Sequence, residues 1–231
     1  MAPPFAVATF DNYGTLTDWE GGAAQFLYET ALRHGDTDLV PGRELRDLWE
    51  GIQFEILGGA YRSYKQVLAE SLRQVCTVRG WPYDEEQAAA FVRSMRSWQP
   101  FPDTRPALLR AHRAGMRLVI LSNTDRDIIE HSLRHMRVPF DDVITAEDCG
   151  AYKPGLDFFR QALDRIGVAP QEIIHVAFGF KYDNAPAKHF GMTTAWVNRH
   201  AEPTPDGEPA DHEWRDLWSL AELADGQPVP R

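Results

Sequence analysis

An aspartate that ends an apolar, β-prone run is placed to do chemistry, and Asp11 ends the run Ala6-Val7-Ala8-Thr9-Phe10. The Gly14-Thr15 turn follows at once. That is how an α/β chain presents one side chain at the carboxyl end of a strand, where open parallel sheets place their ligands. A carboxylate held there can attack an electrophilic carbon or phosphorus, or it can simply cap the turn. Three more polar groups follow β-prone runs. Ser122-Asn123 comes after Arg117-Leu118-Val119-Ile120-Leu121, Lys153 lies in Tyr152-Lys153-Pro154, and Asp183 comes after Ile173-Ile174-His175-Val176-Ala177. In a doubly wound sheet these ends share one edge. An aspartate, a hydroxyl, a lysine and a second carboxylate would then converge.

Bringing them together requires strands alternating with crossover helices, and the second half of the chain reads that way. Helices are expected near 104–114, 127–135, 156–166, 185–190 and 217–224. Strands are expected at 117–121, 142–145, 173–177 and 193–197, the last clear one. Between the first strand and this pattern the periodicity is helical throughout. Apolar residues at helical spacing predict helices near 19–33, 43–57, 63–79 and 85–97, the last capped by Asp84. Residues 19–100 therefore read as a four-helix insertion. The loop at 35–42 is punctuated by Gly and Pro, and residues 201–210, rich in Pro and acid, read as a mobile loop.

Composition narrows the partners. A formal charge of −10 argues against nucleic acid or an anionic membrane as the main partner, because both need basic surfaces. A small anionic substrate stays compatible, since one Lys or Arg can invert the field inside a pocket. The two cysteines, Cys76 and Cys149, show no C-x-x-C spacing and read as a reduced, cytoplasmic protein, with a single disulfide left open. No signal peptide is read at the start, and no stretch approaches a membrane span. The eight histidines show no metal-ligand spacing, so no zinc is expected, and His175, within a strand, is expected to be packed.

Four stretches, in order and at these spacings, resemble the haloacid dehalogenase superfamily, and within it the type II 2-haloacid dehalogenases. F-D-N-Y-G-T-L at 10–16 resembles the first motif, L-S-N-T-D-R-D at 121–127 the second, and Y-K-P at 152–154 the third. H-V-A-F-G-F-K-Y-D-N-A-P-A-K-H-F-G at 175–191, with W-V-N-R at 196–199, resembles the fourth region. The resemblance covers essentially the whole chain. It implies an α/β fold: a Rossmann-like core with a parallel sheet, formed by 1–18 and 101–231, plus an inserted helical cap domain at 19–100.

It also implies a reaction. Asp11 would attack the halogen-bearing carbon of a 2-haloacid in line, halide would leave, and water would hydrolyse the ester formed on Asp11. Lys153 would keep Asp11 ionised, and Ser122 and Thr15 would orient the carboxylates, although both could be ordinary turn hydroxyls. Asn123 would contact the departing halide, or serve as a turn residue. Asp183 would position or activate the hydrolytic water, or else cap a helix. Asn12, Tyr13 and Tyr182 are expected at the substrate. Superfamily phosphatases carry a second aspartate two positions after the nucleophile and a Gly-Asp pair that ligates magnesium. Here those positions are Tyr13 and Ala177-Phe178. Magnesium needs oxygen ligands, and Phe178 supplies none, so no metal and no other cofactor is expected.

Three positions depart from the pattern. The Leu-Trp-Arg run that cradles halide in well-known dehalogenases reads Leu48-Trp49-Glu50, with Arg62 as the candidate substitute. The serine and asparagine of the fourth motif correspond to Phe178 and Phe180, which are expected at the substrate or, by default for Phe beside a strand, in the core. The reading is thus a metal-independent hydrolase, an (S)-2-haloacid dehalogenase acting on a small 2-haloalkanoic acid or haloacetate. Other readings are hydrolysis of another small carbon electrophile, such as a strained-ring amino acid, by the same ester; a magnesium-dependent phosphatase; and a non-catalytic binding protein. The expected partner is a small carboxylic acid, with no nucleic acid and no membrane. Apolar cap helices are compatible with a homodimer.

Overall fold

Val7 to Phe10 carry no polar side chain except Thr9, and all four are fully buried. A strand buried on both faces needs neighbours on both edges and helices above and below. The computed structural model, which describes residues 3–36, 43–205 and 209–230, provides both. The strands are β1 (Val7–Phe10), β2 (Arg117–Ser122), β3 (Asp142–Thr145), β4 (Ile173–Ala177), β5 (Thr193–Val197) and β6 (His212–Trp214). They form one parallel sheet in the order β3-β2-β1-β4-β5-β6. The chain runs outward from β1 to β3 and then returns to build the other half from β4. The crevice where the order reverses lies beside β1, and there Phe10 is level with Ile120 and Val176.

The helices divide at β2. Between β1 and β2 come α1 (Trp19–Arg33), α2 (Arg43–Leu57), α3 (Tyr64–Arg79) and α4 (Glu85–Ser94), followed by α5 (Thr104–Arg113). After β2 come α6 (Arg126–Met136), α7 (Ala146–Cys149), α8 (Leu156–Ile166), α9 (Ala185–His189) and α10 (Trp218–Ala224). Alternate strand residues feed two cores, as a period of two requires. Ala8, Phe10, Leu118, Ile120, Ile174 and Val176 pack with α5 and α10. Val7, Val119, Leu121 and Ile173 face the other way and join a cluster continuous with α1 to α4. The helical insertion thus shares its core with one face of the sheet.

Several elements differ from the sequence reading. The helix expected to 97 ends at Ser94, and Met95–Ser97 tightens into a 3-10 turn. After β3 comes α7, a helix without a sequence counterpart, closed by a capping box between Thr145 and Asp148. β6 had no counterpart: three residues with one apolar side chain carry no period, and only pairing with β5 defines them. Residues 37–42 and 206–208 of the expected loops lie outside the described residues. Cys76 and Cys149 are free. Among the described residues no helix is long and apolar enough to cross a membrane.

Candidate active site

Asp11 stands one residue past β1, its main-chain N–H donating to the Val176 carbonyl at 3.3 Å. The turn behind it closes on Asn12, whose carbonyl accepts from Leu16 N (2.8 Å) and Thr17 N (2.9 Å). The Asn12 side chain accepts from Thr17 Oγ1 at 3.2 Å. Gly14, at φ +99°, is required here, because a Cβ would stand 2.5 Å from Trp19 Nε1 and 2.9 Å from the Phe178 ring. Thr15 Oγ1 donates to Asp11 Oδ2 at 2.9 Å and accepts from Phe178 N at 2.8 Å, which ties the β1 turn to the end of β4. Arg199 braces the turn from below. Its Nη2 donates to the Thr15 carbonyl at 2.9 Å, and its Nη1 pairs with buried Asp103 at 3.0 Å.

Lys153 reaches the crevice from the loop after α7. Its ammonium is buried and donates to Asp11 Oδ1 (3.0 Å), Asp183 Oδ1 (2.5 Å) and the Leu121 carbonyl (2.8 Å). All three of its donors are therefore used. Asn123 holds the Lys153 main chain from both sides, Nδ2 donating to its carbonyl and Oδ1 accepting from its N–H, each at 2.8 Å. Asp183 lies in the π-helical turn Phe180–Asn184 and not at a helix N-cap. The same Oδ1 also meets His175 Nε2 at 3.1 Å, and His175 Nδ1 meets Thr9 Oγ1 at 2.8 Å. An ionised carboxylate only accepts, so Nε2 is the donor.

Two carboxylates sharing one ammonium have their pKa values driven apart. Burial pushes Asp11 above the ordinary aspartate range, with Lys153 pulling against it and Asp183 adding to it. Burial also works against the charge on Asp183, but Lys153 and His175 outweigh it and hold Asp183 below that range. Lys153 is itself raised: burial opposes its charge and the two aspartates more than restore it.

A cavity of about 100 Å³ opens on this group. From the core it is lined by Asp11, Tyr13, Ser122, Asn123, Lys153 and Asp183, and by Phe178 and Tyr182. Ser122 Oγ and Tyr182 Oη are buried without a partner among the described residues, donors left over for something that enters. Tyr13 Oη meets Ser132 at 3.2 Å, and its ring stands edge-on to Trp98. The helices close the cavity. Trp49, Glu50, Gln53 and Leu57 line it from α2, Trp19 from α1 and Tyr64 from α3, with Tyr64 Oη donating to Gln53 at 2.5 Å.

Eight of the twelve expected residues thus line one cavity, and Thr15 sits directly behind Asp11. The other three stand away from it. Asn12 is turned inward to brace the loop. Phe180 packs edge-on against Trp196 as a structural aromatic. Arg62 is exposed in a separate outer cleft with Glu70 and Glu85, and among the described residues only its carbonyl is engaged, by Tyr152 Oη at 2.8 Å. It is placed before the first turn of α3, whereas Tyr64 of that turn faces inward. Asn123 lines the cavity, but its amide is spent on Lys153 and not turned to a leaving group. The sequence reading missed His175, Trp19, Gln53 and Tyr64. The available signals were a lone histidine in an apolar strand, and polar Glu50 and Gln53 interrupting the apolar face of α2.

A family model described as haloacid dehalogenase-like hydrolase matches residues 5–177. An (S)-2-haloacid dehalogenase of Pseudomonas fluorescens is 31% identical over 199 residues, 83% of this chain and 84% of that protein. Haloacetate dehalogenase H-2 of Moraxella sp. (strain B) is 28% identical over 200 residues, with coverage of 83% and 84%. In three dimensions the chain is similar to L-2-haloacid dehalogenase from Xanthobacter autotrophicus. The TM-score is 0.82 at 22% identity, over 97% of this chain and all of that one.

Proposed function

Because this chain belongs to the haloacid dehalogenase-like hydrolases, we propose that it hydrolyses the carbon–halogen bond of a small 2-haloalkanoic acid through an ester on Asp11. The observation that carries this is the setting of Asp11: a buried carboxylate at a strand end, gripped on Oδ1 by Lys153 and on Oδ2 by Thr15, facing a small and largely apolar cavity. The relatives named as (S)-2-haloacid and haloacetate dehalogenases support the substrate class.

In the first step an Asp11 oxygen attacks the halogen-bearing carbon, the carbon–oxygen bond forms, and the carbon–halogen electron pair leaves as halide. The grip on Asp11 pre-aligns the nucleophile, so little freedom is lost at the transition state. Ser122 Oγ is the free donor for the substrate carboxylate, and Tyr182 Oη is the free donor for the departing halide. In the second step water adds to the Asp11 carboxyl carbon, and the ester C–O bond breaks. One water hydrogen ends on the hydroxy acid and the other goes to solvent. Asp183, held in its charged form by Lys153 and His175, is suited to orienting that water more than to removing its proton.

Metal independence is part of the proposal. Lys153 Nζ already supplies the positive charge that the two carboxylates share. Phe178 adds no oxygen from its side chain. Residues 19–100 act as a cap domain over a core made of 1–18 and 101–231. The run of four helices between β1 and β2 supports that division, and the bonds from Asp125 to the start of α3 support its place over the core.

The test is halide release from fluoro-, chloro- and bromo-acids in chelator, comparing the wild type with Asp11→Asn. Release by the wild type alone, unchanged by chelator, is the expected result. Release that survives in Asp11→Asn, or magnesium-dependent phosphate release from a generic ester with no halide release, would sink the proposal.

A further inference from the structure

The charges around the cavity do not match a simple anion. Asp11, Asp183 and Glu50 line it as carboxylates, and Lys153 is the one lysine or arginine lining it among the described residues. Lys153 is spent, with its three donors bound to Asp11, Asp183 and Leu121. Arg62 stands outside. Glu50 itself has no hydrogen bond or ion pair among the described residues, although its half-buried side chain faces the cavity.

Arg46, one helical turn earlier, is the cation that acts on Glu50, and it is committed elsewhere. Its guanidinium pairs with Glu20 at 2.7 Å and with Asp47 at 2.6 Å. Glu20, Asp47 and Glu202 add repulsion at Glu50. Burial pushes the Glu50 carboxyl above the ordinary range, and the pull of Arg46 does not offset it. A bare 2-haloalkanoate would bring one more negative charge into this space. An acid that also carries a protonated amine would bring the missing cation.

We propose that Glu50 makes the α2 wall of the cavity a cation-accepting subsite, so that the preferred 2-haloacid carries an ammonium group beyond the halogen-bearing carbon. This rests on the aspartyl-ester reading above. The reacting end would sit at Asp11 and Ser122, with the halide towards Tyr182, and the ammonium at Glu50. The chemistry at Asp11 is unchanged; Glu50 sets specificity and takes no part in bond making.

The test uses a pair of substrates of one shape, racemic 3-amino-2-chloropropanoate and 2-chlorobutanoate, which differ by an ammonium in place of a methyl group. Chloride release near pH 7 gives kcat/KM for each with the wild type, Glu50→Gln and Asp11→Asn. The wild type is expected to favour the amino acid by about tenfold or more, the scale of one hydrogen bond to a charged group. In Glu50→Gln that ratio should fall towards one, while kcat/KM for 2-chlorobutanoate rises severalfold as the repulsion is removed. A wild-type ratio of one or less overturns the proposal, and so does the same ratio in both proteins. Because the wild-type ratio needs no variant, misfolding of Glu50→Gln does not block the test. Mass analysis of the Asp11 peptide separates the two readings. No alkyl adduct with either acid, together with release undiminished in Asp11→Asn, fails the ester reading itself, and this proposal with it.

Discussion

At the scale of single residues, the site is governed by how one ammonium is divided between two carboxylates. Asp11 must be ionised to attack, yet burial pushes its pKa up, while Asp183 is the one held low. The sign follows directly. Activity is lost as pH falls through the raised Asp11 value, so the acid limb of kcat/KM for halide release should lie above the ordinary aspartate pKa of about 3.9. No alkaline limb from Lys153 is expected below about pH 10, because its pKa is raised and not lowered. Thr15→Val removes a hydrogen bond that favours the Asp11 anion and should move the acid limb further up. It also orphans the Phe178 N–H, at a stability cost of about 1–3 kcal/mol. A pH–rate profile of this variant with an unmoved limb would assign the titration to another group. His175 belongs to the same scale: it gives Asp183 a second donor, and Thr9 in turn fixes its ring.

At the scale of elements, the question is what holds the helical insertion over the strand ends. Asp125, just past β2, is buried, and its carboxylate accepts from Tyr64 N at 2.8 Å and Lys65 N at 3.0 Å. Both N–H groups lie in the first turn of α3, where intrahelical partners are absent and a negative charge is favoured. Ser63 caps the same helix from within, accepting from Gln66 N at 3.3 Å. A residue of the core thus completes the cap of a helix in the insertion. Asp125→Ala should cost about 1–2 kcal/mol and raise KM, since Tyr64 also lines the cavity. Asp127→Ala breaks only the exposed pair with Lys65 (2.8 Å) and should cost about 0–1 kcal/mol. Urea midpoints for the two variants check this; equal losses would mean that the strap carries nothing beyond surface charge.

At the scale of the whole molecule, the net charge of −10 repels anions before they reach the crevice. Screening shortens the reach of that field from about 30 Å at 0.01 M salt to about 8 Å at 0.15 M. With a non-halide salt, kcat/KM for 2-chlorobutanoate should therefore rise severalfold over this range. For 3-amino-2-chloropropanoate, which has no net charge, it should stay nearly flat. The same slope for both acids would place the discrimination inside the cavity alone and leave the outer field without a role.

The sequence by itself determined that Asp11, Ser122, Lys153 and Asp183 meet. Three of them follow apolar runs and Lys153 lies in the Tyr152-Lys153-Pro154 motif, and parallel strands joined by crossovers bring such ends to one edge. It also determined the helical insertion, because a period of 3.6 over four segments allows no strand there. It did not determine which side chains turn inward. Arg62 and Tyr64 are two residues apart, yet one is exposed and the other lines the cavity, since Arg62 precedes α3 and Tyr64 opens the turn that Asp125, far along the chain, holds. Phe178 and Phe180 read alike and end differently, one at Asp11 and one on Trp196, because Phe180 opens a π-helical turn that has no sequence period and Phe178 precedes it. His175 looked like packing until the fold placed Asp183 3.1 Å from its ring. Local pattern selects elements; only their packing decides which polar atoms share a charge.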